Sequence, residues 1–162
     1  MKIYHGSIEI VEKPEIRILK NRTLDYGYGF YTTTSYNQSR DWVKRRMDNT
    51  NTTKGFINIY EFDEKALNHL NCLIFESPTE AWVDFVMNNR TQKGFVHNYD
   101  IVYGTVANDK VYATFALYEG GLIDKETLIK ELISYKLVDQ YLFHTEKALE
   151  FLSYIAVEEI TI

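Results

Sequence analysis

Cysteine and long apolar runs are scarce in this sequence of 162 residues, and each shortage excludes a class of protein. With a single cysteine, Cys72, the chain cannot form an internal disulfide, which favours a reducing compartment. No run approaches the roughly 20 apolar residues that span a bilayer, and an extended pattern starts at once in MKIYHGS. We therefore expect no membrane segment, no signal peptide and a cytoplasmic protein.

Positive charge is also in short supply. The formal net charge of −5 gives a field that repels phosphate backbones, which weakens a generic role in nucleic-acid binding. His69 and His97 lack metal-ligand spacing to each other and to Cys72, so no metal site is expected. Aromatic residues, in contrast, make up 15% of the chain and include 13 tyrosines, a side chain that suits both a core and a polar ligand site.

The length and the hydrophobic content of 45% predict one globular domain over residues 1–162. Short extended patterns predict about six strands, at residues 2–6, 29–34, 55–62, 72–76, 99–106 and 140–145. Four to five helices are expected, at about 35–47, 77–90, 109–121, 124–135 and 146–156. Strands and helices do not alternate strictly, so the fold class is α+β.

The helix predictions depend mainly on capping residues. Ser77 is expected to cap the second helix, with Pro78 in its first turn and Glu80 closing a capping box. Asp109 and Asp124 are expected to cap the next two helices. The last helix depends only on apolar residues at helical spacing between residues 148 and 156.

The stretch DYGYGFYTT, residues 25–33, raises the question of whether its aromatics fill a core or face a ligand. Its two glycines fit a hairpin bend or a close approach of the backbone to a ligand. On a strand, Tyr31 shares a face with the small residues Gly29 and Thr33, which leaves space above its ring. Ser39 and Trp42 of the following helix add a polar and aromatic stripe, so an aromatic-walled slot and a plain bend both stay open.

Three motifs in this order resemble those of the ADP-ribosyltransferase superfamily. YHGS at residues 4–7, GYGFYTT at 27–33 and Ser39 resemble the first two motifs of the branch that includes diphtheria toxin and the poly(ADP-ribose) polymerases. DQYLFHT at 139–145 resembles the third, with Gln140 in the place of a glutamate. The chain is also similar, over nearly its whole length, to a bacterial family of small stand-alone domains of unassigned function. The resemblance implies a split β-sandwich that binds NAD.

The resemblance also implies roles for individual residues. His5 would hydrogen-bond a ribose hydroxyl, the Gly6 backbone and Ser39 would hold the nicotinamide amide, and Ser7 and Gly29 belong to the same binding motifs. The cationic nicotinamide ring would stack on Tyr31, because an aromatic face attracts a planar cation. Tyr36 or Trp42 would form the other wall.

Gln140 is the departure from the family pattern that matters most. A carboxylate there would stabilise the oxocarbenium-like ribose, whereas an amide accepts the same hydrogen bond without negative charge and takes no proton. Three outcomes stay open: slow transfer, a base from elsewhere such as Asp139 or Glu146 or from the target, or NAD binding without turnover. His5, Tyr31 and Gln140 are the expected catalytic residues.

The first functional hypothesis is therefore a mono-ADP-ribosyltransferase, with NAD as substrate and either a protein or a nucleic acid as acceptor. The resemblance places it as the toxin of a bacterial toxin and antitoxin pair, with an antitoxin protein as partner. The alternatives are a non-catalytic module that binds NAD, ADP-ribose or a nucleic-acid end, and an NAD glycohydrolase.

Overall fold

The structure is a computed structural model that describes residues 1–18 and 24–161. Within these residues the chain forms seven strands: β1 Lys2–Ser7, β2 Phe30–Thr32, β3 Lys54–Phe62, β4 Cys72–Ile74, β5 Ile101–Thr105, β6 Asp139–Phe143 and β7 Leu152–Thr161. The described helices are α1 Tyr36–Thr50, α2 Ala66–His69, α3 Glu80–Thr91, α4 Asp109–Glu119, α5 Lys125–Ser134 and α6 Glu146–Leu149. The α+β class expected from the sequence is confirmed.

The strands form two sheets. Sheet A has the order β1-β3-β7 and is antiparallel. Sheet B has the order β2-β6-β5-β4, in which only the β4 and β5 pair is parallel. All six predicted strands are present, and the seventh, β7, was not expected.

One isolated bridge joins the two sheets, between Tyr4 of β1 and Thr33 just after β2. The Tyr4 N–H donates to the Thr33 carbonyl at 2.8 Å, and the Thr33 N–H donates to the Tyr4 carbonyl at 3.0 Å. Beyond this bridge β1 continues into sheet A with β3, while β2 pairs with β6 in sheet B. The two strands therefore separate at residues 5 and 6.

Apolar clusters fill the space on both sides of each sheet. Ile3, Tyr60 and Phe62 of sheet A pack against Phe30 and Phe143 of sheet B, so this cluster lies between the sheets. The other face of sheet B is covered by α3, α4 and α5, and the other face of sheet A by α1. The result is a β-sandwich with helices on both outer faces.

The helix expected over residues 146–156 is wrong beyond its first turn. The helix α6 ends at Leu149, and Leu152–Thr161 is the edge strand β7, which pairs antiparallel with β3 along the whole of Lys54–Phe62. Leucine and alanine at positions 148, 149, 152 and 156 mimic helical spacing, but the segment also contains β-branched and aromatic residues that suit a strand. Pairing with β3 gives the backbone N–H and C=O groups of this segment their hydrogen-bond partners, which favours the strand over the helix.

Two capping predictions are also corrected. Thr79, not Ser77, is the N-cap of α3, because the Thr79 hydroxyl accepts the Trp82 N–H. Pro78 therefore lies before the helix and the predicted capping box does not form. Asn108, rather than Asp109, caps α4, whereas Asp124 caps α5 as predicted.

Close packing of α1 on sheet A generates the first prediction. A Cβ atom at Gly55 would lie 2.2 Å from Val43 Cγ1 and 2.7 Å from Met47 Sδ, so Gly55→Ala forces β3 and α1 apart. We expect the free energy of unfolding in urea to fall by about 1–3 kcal/mol. The control Thr53→Ala, at an exposed position two residues earlier, should change it by less than about 0.5 kcal/mol. Equal effects of the two substitutions would contradict this packing.

Candidate functional site

His5 lies where the two sheets separate and reaches across the gap to β2. Its Nδ1 is 2.7 Å from the Tyr31 carbonyl oxygen, which only accepts, so Nδ1 carries the ring proton. Its ring packs on Phe30 with centroids 4.3 Å apart. The pKa of His5 is lowered to about 4, mainly by burial. The hydrogen bond to the Tyr31 carbonyl partly opposes this shift, and the charge of Arg17 adds a smaller lowering. His5 is therefore neutral at pH 7 and does not repel a cationic ligand.

Gly6, the next residue, lies against helix α1. A Cβ atom at Gly6 would be 2.6 Å from the Ser39 carbonyl oxygen and 3.2 Å from Ser39 Oγ, so only glycine fits there. Ser39 is 3% exposed, and its Oγ has no hydrogen-bond partner in the described part of the chain. A buried hydroxyl without a partner is costly and unusual. The site thus holds an unused donor and acceptor beside the main chain of Gly6.

Tyr31 faces the same side as Gly6. Tyr4 and Thr33 are paired, and side chains two residues apart on a strand share a face, so Gly6 and Tyr31 flank the gap on one side. The pairing of Tyr31 with Leu142 puts Gln140 on that side of sheet B as well. By strand alternation, Gly6, Tyr31 and Gln140 therefore point to the same side of their local strand pairs.

The Tyr31 hydroxyl is not free to bind a ligand. It donates to the Gly27 carbonyl at 2.6 Å and accepts the Tyr26 N–H at 3.0 Å. Burial and the nearby Asp25 raise the pKa of Tyr31 well above its usual value, so the phenol stays neutral. Its ring is half-buried against the cluster under the helices α3 to α5. Tyr31 therefore supports the turn before β2 with its hydroxyl, a role that the motif did not indicate.

The space expected above Tyr31 at Gly29 is not there, and this expectation is corrected. A Cβ atom at Gly29 would lie 2.4 Å from the Phe143 carbonyl and 2.7 Å from Leu142 Cδ1, and its φ is +144°. Glycine is required there for close approach to β6, not for ligand access. Thr33 is buried, and its hydroxyl donates to Asp139 at 3.2 Å.

The remaining predicted binding residues lie at the edges of this face. The Tyr36 hydroxyl donates to Glu158 at 2.5 Å, and its ring packs edge-on against Tyr4. Trp42 is 39% exposed on α1, with the Arg45 guanidinium 5.7 Å from its ring centroid. Ser7 accepts the N–H of Glu9 at 3.1 Å. Trp42 is thus the more accessible of the two aromatic walls suggested by the sequence.

Gln140 is 7% exposed and engaged with protein groups. Its amide nitrogen donates to Asp25 Oδ2 and to the Thr105 carbonyl, both at 3.2 Å. These two acceptors fix the orientation of the amide. Of the alternative bases, Asp139 is bound by Thr34 and the Tyr103 hydroxyl, and Glu146 is exposed in α6.

Asp25 is a site residue that sequence reasoning missed. It is 9% exposed and accepts the Ala107 N–H at 3.1 Å and the Tyr112 hydroxyl. Arg90 lies 3.6 Å from its carboxylate and 4.3 Å from the centroid of the Tyr112 ring. Asp25 opens the DYGYG stretch, but nothing local in the sequence shows that its partners come from α3, α4 and β6.

The roles of His97 and His144 in holding the glycine-rich turn were also not predicted. His97 Nε2 donates to the Tyr26 carbonyl at 2.6 Å, and His144 Nδ1 donates to the Tyr28 carbonyl at 2.7 Å. Their rings stack with centroids 4.1 Å apart. Together with the Tyr31 hydroxyl on Gly27, they give each carbonyl of residues 26–28 a side-chain donor. The glycine-rich turn is therefore a rigid support for β2.

The chain belongs to a family described as a protein of unknown function, DUF3990, whose model matches residues 1–154. No curated protein and no solved structure matches it. Membership of a family of unassigned function agrees with the sequence analysis, whereas the wider superfamily stays a prediction. Across residues 1–18 and 24–161, no helix combines the length and apolar character needed to cross a bilayer. The same residues contain no cluster of three or more His, Cys, Asp or Glu arranged to hold a metal ion.

Acid should destabilise the fold through His5 and His97. Burial lowers the pKa values of His5 and His97 from 6.5 to about 4. Between these values the unfolded chain binds more protons than the folded one, so this contribution is complete above pH 6.5 and is lost as the pH falls towards 4. We expect the free energy of unfolding in urea to drop by about 1 kcal/mol or more from pH 7 to pH 5. His97→Asn should reduce this loss of stability between pH 7 and pH 5, whereas the exposed control His69→Asn should not. The same loss in both variants would refute the role given to His97.

Proposed function

We propose that this chain is an NAD-dependent mono-ADP-ribosyltransferase. The observation that supports this best is the partnerless, buried Ser39 hydroxyl packed against the main chain of Gly6. A carboxamide such as that of nicotinamide offers two donors and one acceptor and so matches a hydroxyl beside a backbone strand. The position of these two residues at the gap between β1 and β2 agrees with the roles that the resemblance implies for them.

The charge of the site suits a pyridinium ring. His5 beside the gap is neutral, and the half-buried ring of Tyr31 and the exposed ring of Trp42 offer the aromatic faces that a planar cation prefers. Breaking the bond between the nicotinamide nitrogen and the ribose carbon sends the bonding electrons to nicotinamide, which leaves neutral. The ribose carbon becomes cationic until a nucleophile on the acceptor bonds to it and releases its proton.

A non-catalytic NAD-binding module is the second candidate, and the state of Gln140 favours it. The Gln140 side chain carries no charge, and its nitrogen is occupied by Asp25 and Thr105. Nothing at position 140 therefore takes a proton from an acceptor. An NAD glycohydrolase differs from the first candidate only in using water as the nucleophile.

The biological setting follows from the resemblance alone. We propose a cytoplasmic toxin that is neutralised by an antitoxin protein, with a protein or a nucleic acid as acceptor. Expression of the intact chain in bacteria, with and without a carboxylate at position 140, tests the toxin role. Normal growth in both cases would exclude it.

Ser39→Ala tests the binding site directly. The Ser39 hydroxyl has no partner, so its removal should leave the free energy of unfolding unchanged or slightly higher. NAD binding, measured by calorimetry, should weaken about tenfold, the effect of one lost hydrogen bond of about 1.4 kcal/mol. Unchanged affinity for NAD would refute the assignment of the nicotinamide amide to Ser39.

Tyr31 provides a matched pair of variants for the same titration. Tyr31→Phe keeps the ring and should retain most of the affinity for NAD, although it loses the hydroxyl that holds the turn at Gly27. Tyr31→Ala removes the stacking face and should abolish binding. Similar losses in both variants would mean that Tyr31 acts through the turn and not as a stacking wall.

Exchanging the amide and the carboxylate at positions 25 and 140 tests whether charge limits turnover. Gln140→Glu alone puts two carboxylates about one hydrogen bond apart and should lower the free energy of unfolding by about 1–3 kcal/mol. Adding Asp25→Asn restores a donor to the pair and should recover at least half of that loss. Only the double variant should release nicotinamide from NAD faster than the wild type. If the folded double variant binds NAD but releases no nicotinamide, the non-catalytic candidate is supported.

A further inference from the structure

A second recess lies at the end of sheet B, beside the glycine-rich turn. It is a cavity of about 280 Å³ between the turn, the end of α3 and the segment that leads to β5. Six side chains in its lining supply its chemistry: Tyr28, Asn89, Lys93, Phe95, His97 and His144. None of them belongs to the site assigned to NAD.

Two of these side chains offer hydrogen-bond acceptors to the cavity, and one of the acceptors, Asn89 Oδ1, is buried without a partner among the described residues. Asn89 is 7% exposed; its amide nitrogen donates to the Phe85 carbonyl at 2.8 Å, whereas its Oδ1 has no partner among the described residues. This oxygen lies at the Gly27 end of the cavity, 3.1 Å from where a Cβ atom of Gly27 would be. His144 is 6% exposed, and because its Nδ1 donates to Tyr28, its Nε2 presents a lone pair in the neutral ring. A donor supplied by a ligand would offset the cost of the unsatisfied Asn89 oxygen.

His97 has a different part in the cavity. Its Nε2 donates to the Tyr26 carbonyl at 2.6 Å, and its Nδ1 accepts the Tyr99 N–H at 3.1 Å. Both nitrogens are therefore used, and His97 contributes a fixed ring face. This ring stacks on His144 and keeps it in place.

The rest of the lining is aromatic and cationic. The Tyr28 ring packs on His144 with centroids 4.4 Å apart, and Phe95 is half-buried with its ring edge-on to Phe85. Lys93 at the rim is exposed and forms no ion pair within the part of the chain that the structure describes. A ligand that satisfies all these groups is planar, carries N–H donors and bears an anion a short distance away.

We propose that this cavity binds one nucleoside monophosphate unit. The base would lie against Tyr28 and Phe95, an exocyclic amine would donate to Asn89 Oδ1 or His144 Nε2, and the phosphate would meet Lys93. A volume of about 280 Å³ is at the lower end of ligand pockets and suits a single nucleotide, not a dinucleotide. The site does not rest on the proposed transferase activity.

The residues that line the cavity do not include His5, Gly6, Tyr31 or Ser39. The Gly27 backbone lines the cavity, and its carbonyl accepts the Tyr31 hydroxyl from the β2 side. The nucleotide site is therefore separate from the site assigned to NAD. A ligand of this chemistry has two sources: a free nucleotide and a nucleotide at the end of a nucleic-acid strand.

Calorimetric titration of the whole chain with AMP, CMP and UMP tests the proposal. AMP and CMP, whose exocyclic amine carries two N–H donors, should bind about tenfold more tightly than UMP, whose single N3–H donor is flanked by two carbonyls. Lys93→Glu should weaken AMP binding at least tenfold and adenosine binding less than twofold. The control Lys65→Glu makes the same charge change at an exposed residue outside the cavity and should alter neither. Phe95→Ala should weaken the binding of both AMP and adenosine at least tenfold. Circular dichroism checks that this variant is folded.

Two further titrations identify the source of the nucleotide. A short single-stranded oligonucleotide that binds at least as tightly as AMP, and is weakened by Phe95→Ala, assigns the cavity to a strand end; weaker binding assigns it to a free nucleotide. NAD affinity should be the same in the wild type and in Phe95→Ala. A loss of NAD affinity in Phe95→Ala would contradict the proposal that the cavity is separate from the NAD site. The proposal would also be refuted if AMP did not bind saturably, or if neither Lys93→Glu nor Phe95→Ala changed AMP binding. Ser39→Ala should leave AMP binding intact, so failure of the NAD assignment is distinguishable from failure of this one.

Discussion

The isolated bridge between Tyr4 and Thr33 is the constraint on which the candidate site depends. It ties β1 of one sheet to the end of β2 in the other, and immediately beyond it the two strands diverge. Backbone groups at such a point lose their ladder partners and must find others. The Tyr31 carbonyl finds the His5 ring, and Gly6 is left facing α1 with the Ser39 hydroxyl beside it. The arrangement of His5, Gly6 and Ser39 at this gap is therefore a consequence of how the sheets are joined.

The glycine-rich turn makes this geometry rigid. Two glycines with positive φ would by themselves give a flexible segment, because glycine loses the most conformational freedom on folding. Here the three carbonyls of residues 26–28 each accept a hydrogen bond from a different side chain, His97, Tyr31 or His144. The same turn contacts both the Tyr31 hydroxyl and the cavity at His144, so a ligand that displaces one of these donors would change the support of Tyr31.

Local patterns predicted most of the strands and the Asp124 cap, because alternation and capping act within a few residues. The strand β7 was not predicted because the spacing of its apolar residues also fits a helix. Only the pairing with β3 decides in favour of the strand. The contacts of Asp25 and His144 could not be predicted in this way. Asp25 is 115 residues from Gln140, and His144 is 116 residues from Tyr28. The motifs indicated His5, Gly6 and Ser39 correctly as neighbours, but not that the Tyr31 hydroxyl is used within the fold.

The position of negative charge constrains which acceptors the proposed transfer can use. Asp25 is next to Gln140, but its carboxylate accepts from Ala107, Tyr112 and Gln140 and has Arg90 nearby, so the protein itself compensates its charge. These donors already occupy its oxygens, so the Asp25 carboxylate is not placed to receive a proton from an acceptor. An acceptor that arrives as a neutral hydroxyl or amine would then need a base from elsewhere, such as the exposed Glu146 or the target itself. An acceptor that brings its own charge, such as a phosphate or a carboxylate, needs none and also stabilises the cationic ribose carbon. For a site that has an amide at position 140, anionic acceptors are therefore the chemically favoured class.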